Sequence, residues 1–171
     1  GMNWTGITAK TIFPTTGLSV QWTGVSFLAT GTSSTDARMA TSFDGLTWSS
    51  TISTSFTTSW NQIAVNASRE NRIVFPADQL VAVGTGTGGS DHKIAYSDDS
   101  GLTWTGVTTN TIFSTQGNAV AWNGSIWVAV GQGTNTIAYS MDRRTWKGLG
   151  TTLFSTSGNG VAWNGQLWIA V

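Results

Sequence analysis

The sequence predicts an all-β fold, a β-propeller built of four-stranded antiparallel blades, and three observations support this. The chain repeats itself, each repeat holds short apolar runs, and Gly, Asn, Ser and Thr separate the runs. Repeats of about 40–50 residues with these strand and turn signals are typical of propeller blades. No segment shows the apolar periodicity of a capped helix, so we expect essentially no helix.

The repeat is clearest where "STQGNAVAWNGSIWVAVGQG" (114–133) returns as "STSGNGVAWNGQLWIAV" (155–171). A divergent copy lies at 14–32, and a more divergent copy is split between 59–66 and 79–86. The tryptophans that end the units recur at spacings of 44, 56 and 42 residues: Trp4, Trp48, Trp104 and Trp146. The chain is therefore a tandem array of one structural unit, with extra length in the second full copy.

Each unit contains four short strand signals, best seen in the third full copy. There the predicted strands are Asn118–Trp122, Ile126–Val130 and Thr136–Ser140, and the stretch Ser140–Trp146 turns into the fourth. Asn123-Gly124 separates the first two strands, and Asn-Gly between apolar runs predicts a type I′ hairpin turn with positive φ at both residues. The unit is therefore expected to be an antiparallel meander.

We expect a single domain over 1–171, with three complete blades and a partial blade at each end. The predicted parts are strand 4 of a partial blade at 2–9, blades at 17–51, 60–107 and 117–149, and the first two strands of a further blade at 158–171. These parts do not fill a whole number of four-stranded blades. The chain is therefore part of a larger propeller, completes a ring with other copies, or closes a small irregular ring alone.

The stretch "SDDSGLTW" (97–104) resembles the Asp-box, or BNR repeat, of sialidase-like β-propellers. A copy at 42–48 is one residue shorter, and a copy at 140–146 has the same short length with arginine in place of the glycine. The residues that carry the resemblance are Ser42, Asp44, Gly45, Thr47, Trp48, Ser97, Asp99, Gly101, Thr103, Trp104, Ser140, Asp142, Thr145 and Trp146. The resemblance implies that the motif lies in the turn between strands 3 and 4 and has a structural role.

The residue chemistry of this motif agrees with a structural role. An Asp carboxylate can accept hydrogen bonds from N–H groups of its own turn, Gly tolerates positive φ, and Trp buries a large apolar ring. A calcium site or an acid/base pair is the alternative for these acids. Asp98 aligns with Phe43 and Met141, so we expect it to be an exposed residue outside the framework.

Composition excludes several classes of function. Charged residues make up 9% of the chain, the formal net charge is zero, and there is no cysteine. Neither an electrostatic grip on nucleic acid nor a thiolate metal site or nucleophile is therefore expected. There is no apolar run of about 18 residues, so we expect no membrane insertion. A surface of Thr, Ser, Gly and Asn favours a secreted, cell-surface or virion-associated protein, and no cofactor is predicted.

The sequence does not predict an enzyme. The resemblance to sialidases implies three substrate-binding arginines, a Tyr/Glu nucleophile pair and an Asp acid, and these cannot be assigned. The one glutamate is Glu70, Tyr96 and Tyr139 occupy equivalent strand positions, and the arginines form no recognisable triad. Ser90, Asp91 and His92 are adjacent in one loop, whereas a catalytic triad converges from separate elements.

Ligand binding is instead expected around Trp60 of the second blade, on the face of the strand 4–1 and 2–3 loops. Trp60 stands where sister units have Gly117 and Gly158, so it either fills a gap or offers a stacking platform for a sugar or a partner side chain. In propellers the loops that join strands 4 to 1 and 2 to 3 share one face, where ligands usually bind. The resemblance therefore implies these ligand-binding candidates: Trp60, Asn61, Asp91, His92, Lys93, Asn118, Asn135 and Asn159.

The sequence thus predicts a non-catalytic binding or scaffold module that recognises a glycan or a protein at a cell or virion surface. Two alternatives remain open. The protein is purely structural and assembles through open blade edges, or it is a fragment of a glycan-processing enzyme whose catalytic residues lie elsewhere. Self-association, or membership of a larger propeller, is expected in either case.

Overall fold

The computed structural model describes residues 13, 15–32, 39–51, 58–66, 79–86, 92–108 and 112–171. This part of the chain contains strands and turns and no helix, which confirms the predicted all-β class. The strands are β1 (Thr16–Trp22), β2 (Phe27–Thr32), β3 (Met39–Ser42), β4 (Ser49–Thr51), β5 (Ser59–Asn66), β6 (Gln79–Thr85), β7 (Ile94–Ser97), β8 (Thr105–Gly106), β9 (Gln116–Trp122), β10 (Trp127–Gln132), β11 (Ile137–Ser140), β12 (Lys147–Gly148), β13 (Val161–Trp163) and β14 (Trp168–Ala170). The predicted strand 4 at 2–9, with Trp4, lies outside the described residues.

The strands pair in sequence order as antiparallel meanders. Strands β1–β4, β5–β8 and β9–β12 form three four-stranded units, and β13 and β14 form a two-stranded hairpin. The first two units join into one curled sheet through a single residue pair, Thr32 with Ser59. An isolated bridge between Gln132 and Ser157 joins the third unit to the hairpin in the same way. We name these parts units 1 to 4.

The hairpin between β9 and β10 differs from the predicted type I′ turn. Trp122 pairs with Trp127, so four residues form the loop. Gly124 has φ of 102°, but Asn123 does not have positive φ. The Asn123 side chain instead accepts hydrogen bonds from the backbone N–H groups of Ser125 and Ile126, at 2.9 and 2.8 Å. The Asn-Gly pair therefore makes the turn through side-chain capping and one left-handed glycine.

The hydrophobic core lies between consecutive units. One cluster of buried residues joins units 1 and 2, a second joins units 2 and 3, and a third joins units 3 and 4. The first strands are neighbours in the order β1, β5, β9, β13. A unit buries its apolar face by packing against the unit next to it, as expected for a repeat protein.

Close packing between units depends on a glycine near the start of the first strand. Gly117 pairs with Gly131 and precedes a β-bulge. A methyl group added at Gly117 would lie 2.7 Å from both the Lys93 carbonyl oxygen and Cβ of Val83 in unit 2. Gly158 approaches Cβ of Val130 in unit 3 in the same way, at 2.8 Å. The missing side chain therefore lets one strand lie directly against the preceding unit.

The described residues contain no helix long and apolar enough to cross a membrane.

We predict that Gly117→Ala destabilises the fold by about 1–3 kcal/mol, because the new methyl group overlaps unit 2. Gly17 is the matched control, since it occupies the equivalent position in unit 1 but a methyl group there has Phe13 Cδ2 as its nearest contact, at 3.9 Å. Gly17→Ala should change stability by less than about 0.5 kcal/mol. Urea unfolding of dilute protein measures both values. Equal effects would contradict this account of unit packing.

Candidate functional site

The three turns between strands 3 and 4, which we name the Asp-box turns after the motif that they resemble, share one hydrogen-bond pattern. In the first, the Ser42 hydroxyl donates to Asp44 at 3.0 Å, and Asp44 accepts from the backbone N–H of Thr47 at 2.7 Å. The corresponding bonds in the other turns are Ser97 to Asp99 at 2.7 Å, Thr103 N–H to Asp99 at 2.8 Å, Ser140 to Asp142 at 3.0 Å and Thr145 N–H to Asp142 at 2.7 Å. Each carboxylate thus stabilises its own turn, which supports the structural interpretation.

Each turn is closed by its tryptophan. The indole N–H groups of Trp48, Trp104 and Trp146 donate to the carbonyl oxygen three residues earlier, at 3.1, 3.1 and 2.8 Å. A serine hydroxyl accepts from the N–H of that same earlier residue in all three turns, at 2.9 Å.

Within the described ranges, no three His, Asp or Glu side chains cluster as metal ligands would.

These hydrogen bonds stabilise the ionised carboxylates. The N–H of Thr47, followed by that of Leu46, lowers the pKa of Asp44 to about 2. The N–H of Thr145 is the main cause that lowers the pKa of Asp142 to about 2. Burial is the largest influence on Asp99 and opposes ionisation, but the bonds from Thr103, Ser97 and Leu102 together still lower its pKa. A carboxylate held in this way is a poor proton donor near neutral pH.

The third turn contains a conformationally strained residue. Gly45 and Gly101 have φ of 75° and 90°, and Arg143 occupies the same position with φ of 70°. A side chain in this left-handed region costs about 1–2 kcal/mol. Arg143 therefore retains the turn geometry that glycine provides in the other copies, at some cost in stability.

Asp98 is exposed, as the sequence predicts, and it is also paired with two arginines of unit 3. Its carboxylate lies 2.8 Å from Nη1 of Arg143, as an ion pair without hydrogen-bond geometry, and accepts a hydrogen bond from Nη2 of Arg144 at 2.9 Å. The Arg144 guanidinium also lies over the Tyr96 ring, 5.3 Å from its centroid. Asp98 and Tyr96 thus connect the outer turns of units 2 and 3, which sequence alignment alone could not show.

Trp60 does not offer a stacking platform, and that prediction is wrong for this structure. Its side chain is fully buried in the cluster between units 1 and 2. Its ring meets that of Trp104 edge to face, with centroids 4.9 Å apart. The alternative interpretation, that Trp60 fills space between units, describes its packing.

Three other candidates hold the loop between strands 2 and 3 in place. His92 Nδ1 lies 3.0 Å from the Val107 carbonyl oxygen, and the buried Lys93 ammonium donates to the Gly86 carbonyl at 2.8 Å. Asn135, equivalent to His92, donates to the Ile112 carbonyl and accepts from the Gly150 N–H, both at 2.8 Å. The Lys93 bond lies within its own loop, whereas His92 and Asn135 bond to residues of the connectors between units. Asp91 lies outside the described residues.

The structure brings together the remaining three candidates, Asn61, Asn118 and Asn159. They line one open cleft of about 240 Å³ at the starts of the first strands. The lining comes from all four units: Leu18, Ser19, Asn61, Gln62, Asn118, Ala119, Asn159, Gly160 and Val161. We name this feature the amide cleft. Among the described residues, no charged side chain belongs to its lining.

β-Bulges place the amides in the cleft. The ladder slips by one residue at Asn61 in β5 and at Asn118 in β9, and Leu18 holds the same bulge position in β1. A bulge residue is left out of the regular pairing, and the local kink redirects its side chain. The repeat signal identified the asparagines, but it did not indicate the bulges that make them converge.

Two of the cleft asparagines, Asn61 and Asn118, also connect their units to the next one. Asn61 Nδ2 donates to the Gly117 carbonyl at 2.7 Å, and Asn118 Nδ2 donates to the Gly158 carbonyl at 2.8 Å. Neighbouring side chains orient the amides, since Ser59 donates to Asn61 and Gln116 to Asn118, both at 2.8 Å. An asparagine offers two donor hydrogens and two acceptor lone pairs. Asn61 and Asn118 therefore retain polar capacity toward the cleft after making these bonds.

Sequence reasoning missed Gln62, which lines the cleft and binds across units. Its side-chain oxygen accepts from the Val120 N–H at 2.8 Å. Its position directly after Asn61 in the repeat was the available signal. Glu70, Ser90 and the glycine-rich residues 87–90 lie outside the described part of the chain.

Comparison with known proteins identifies no family. No protein-family model matches this chain, and no curated protein or solved structure shows significant similarity to it.

We predict that acid destabilises the protein through its Asp-box turns. Because the pKa values of Asp44 and Asp142 are lowered from 3.8 to about 2, their stabilisation is present above roughly pH 4 and is lost as the pH falls through about 2. The thermal unfolding midpoint should therefore fall steeply over that range, and less steeply in an Asp44→Asn, Asp142→Asn double variant.

Asn164→Ala is the control for this measurement. The Asn164 amide caps a hairpin by accepting from the N–H groups of Gln166 and Leu167, and it carries no charge. Its loss should lower the midpoint by a similar amount at every pH. An Asp double variant with the same pH slope as the unmodified protein would contradict the account.

Proposed function

We propose that this chain is a segment of an Asp-box β-propeller that serves as a non-catalytic binding module. Three meanders with equivalent turns, and first strands that are neighbours in sequence order, support the propeller. The three Asp-box turns support the sialidase-like type of blade. First strands line the axis of a propeller, and the amide cleft lies at their starts.

The observation that carries the proposed function is the convergence of Asn61, Asn118 and Asn159 on this cleft. They come from three different units, and residues 18 and 19 of unit 1 complete the lining. A concave site with a few convergent polar groups is the usual form of a ligand site.

The chemistry of the lining favours a neutral glycan. Carboxamides donate and accept hydrogen bonds side by side, which suits the hydroxyl groups of a sugar ring. Leu18 and Val161 add apolar surface for the C–H groups of such a ring. The described lining residues are uncharged and so give no specific attraction for a phosphorylated or sulfated ligand. A protein partner that presents polar backbone groups is the second possibility for the same surface.

A binding role also fits the state of the described acids. Asp44, Asp99 and Asp142 accept hydrogen bonds within their own turns, and Asp98 faces two arginines. None of these four carboxylates belongs to the lining of the amide cleft. We therefore favour recognition over catalysis, and propose a secreted, cell-surface or virion-associated setting for it.

An array of neutral glycans tests the proposal. The unmodified protein should bind a subset of the array, and Asn159→Asp should weaken that binding on the order of tenfold, because it removes both donor hydrogens and adds a charge. Asn164→Asp is the matched control, since Asn164 follows the other end of the same strand, β13. Binding that both variants retain would remove the cleft from the proposal. Binding to no glycan would overturn the glycan assignment in favour of the protein partner.

A further inference from the structure

The units pack through one contact that recurs three times. The third residue after the first-strand glycine position is Ile63 in unit 2, Val120 in unit 3 and Val161 in unit 4. Ile63 lies in the cluster that contains Leu28 and Met39 of unit 1. Val120 lies in the cluster that contains Val81, Val83 and Ile94 of unit 2, and Val161 packs against Val128, Val130 and Ile137 of unit 3. An aliphatic residue of each first strand thus enters the apolar face of the preceding unit.

Unit 1 presents this aliphatic residue without a receiving face. Val20 is the equivalent of Ile63 and Val120, which are 3% and 2% exposed. Val20 itself is 60% exposed. Leaving an apolar side chain of this size in water is unfavourable relative to full burial. Unit 1 therefore offers one half of the recurring contact.

Unit 4 presents the other half. Ile169 and Val171 are equivalent to Val81 and Val83 of unit 2 and to Val128 and Val130 of unit 3. The unit 2 and unit 3 residues are at most 9% exposed, whereas Ile169 and Val171 are 55% and 66% exposed. An apolar face that is buried in two sister units is thus open in the fourth.

The hydrogen bond of the recurring contact is also divided between unit 4, which has the asparagine, and unit 1, which has the glycine. Asn61 and Asn118 each donate to the carbonyl of the glycine at the start of the next first strand. Asn159 is the third such asparagine, and no acceptor for its Nδ2 exists within the described ranges. Gly17 holds the glycine position in unit 1, directly before a bulge like the one that follows Gly117. A donor and an acceptor of matching geometry therefore stand at opposite ends of the array.

We infer that this chain self-associates head to tail, with unit 4 of one copy receiving unit 1 of a second copy. Val20 of the second copy packs on Ile169 and Val171, and Asn159 donates to the carbonyl of Gly17 of the second copy. The interface repeats the contacts already present between units 1 and 2, 2 and 3, and 3 and 4. Because it joins two different surfaces, it builds a ring when the rotation closes and a filament when it does not.

The exposed face of unit 4 does not receive unit 1 of its own chain. Residues 18 and 19 of β1 line the amide cleft together with residues 159–161, so both ends of the array reach the same cleft. Val20, Ile169 and Val171 nevertheless remain more than half exposed. The chain's own first strand therefore does not cover the face of unit 4. This inference rests on the repeat contacts, and it is tested at Gly17 and Val20, which do not line the amide cleft.

Light scattering with size-exclusion chromatography, over a range of concentrations, tests the interface. The unmodified protein should have a mass that is a multiple of 18.0 kDa. Gly17→Leu and Val20→Lys should each weaken association on the order of tenfold or more, through a clash and a buried charge. Both positions are exposed within one copy, so circular dichroism and the unfolding midpoint should be largely unchanged. Leu102→Lys, at a residue 74% exposed in an outer turn, is the control that should still associate.

Cysteine crosslinking distinguishes the possible occupants, because the chain has no cysteine of its own. A mixture of Val20→Cys and Ile169→Cys proteins should form disulfide-linked pairs that contain one of each, and a Leu102→Cys partner should not replace either. A folded unmodified protein that stays at 18.0 kDa at every concentration would overturn the inference. A Val20→Cys, Ile169→Cys double variant that links only within single chains would overturn it as well.

Discussion

The structure depends on the close approach between the first strand of each unit and the unit before it. A four-stranded meander has one apolar face and cannot bury it alone. Gly117 and Gly158 allow the backbone to lie within van der Waals distance of Val83 and Val130, where any side chain would intrude. Asn61 and Asn118 then bind the carbonyls of these glycines across the same boundary. Apolar burial and amide hydrogen bonding thus act at the same boundary between consecutive units, and we name this boundary the seam.

This seam also produces the candidate site. The bulge that follows the glycine position takes Asn61 and Asn118 out of the regular ladder and directs both amides toward the axis shared by the first strands. The outer turns have a different role. There the Asp-box acids are bound within their turns, and Asp98 ties unit 2 to unit 3 through two arginines. The ends of the units that line the amide cleft carry the binding role that we propose, while the turns between strands 3 and 4 contribute to stability.

Much of the fold could be predicted because aligned copies of a repeat show which residues occupy equivalent positions. The strands of unit 3, the structural interpretation of Asp99 and the convergence of Asn118 with Asn159 all followed from aligned copies. Departures from the repeat were harder to interpret. Trp60 stands where sister units have glycine, and alignment could not show whether its ring faces water or the space between units. The contacts of Asp98, His92 and Lys93 join residues that are distant in the repeat, so periodicity carried no signal for them. Asn123 shows a third limit. The Asn-Gly pair alone does not determine whether Asn123 adopts positive φ or caps the turn with its side chain, because the length of the loop decides this.

A double-mutant cycle between Asn118→Ala and Gly158→Ala tests the seam most directly. Asn118 donates to the Gly158 carbonyl at 2.8 Å. A methyl group at Gly158 would lie 2.8 Å from Val130 Cβ. The backbone at Gly158 would therefore have to move, and its carbonyl would move away from Asn118. Because both substitutions break the same bond, the double variant should lose about 0.5–1.5 kcal/mol less stability than the sum of the single losses. A pair with no shared partner, Asn118→Ala with Ser42→Ala, should be additive within about 0.5 kcal/mol. Additivity of Asn118 with Gly158 in urea unfolding would contradict the claim that amide and glycine form one interlocking contact between units.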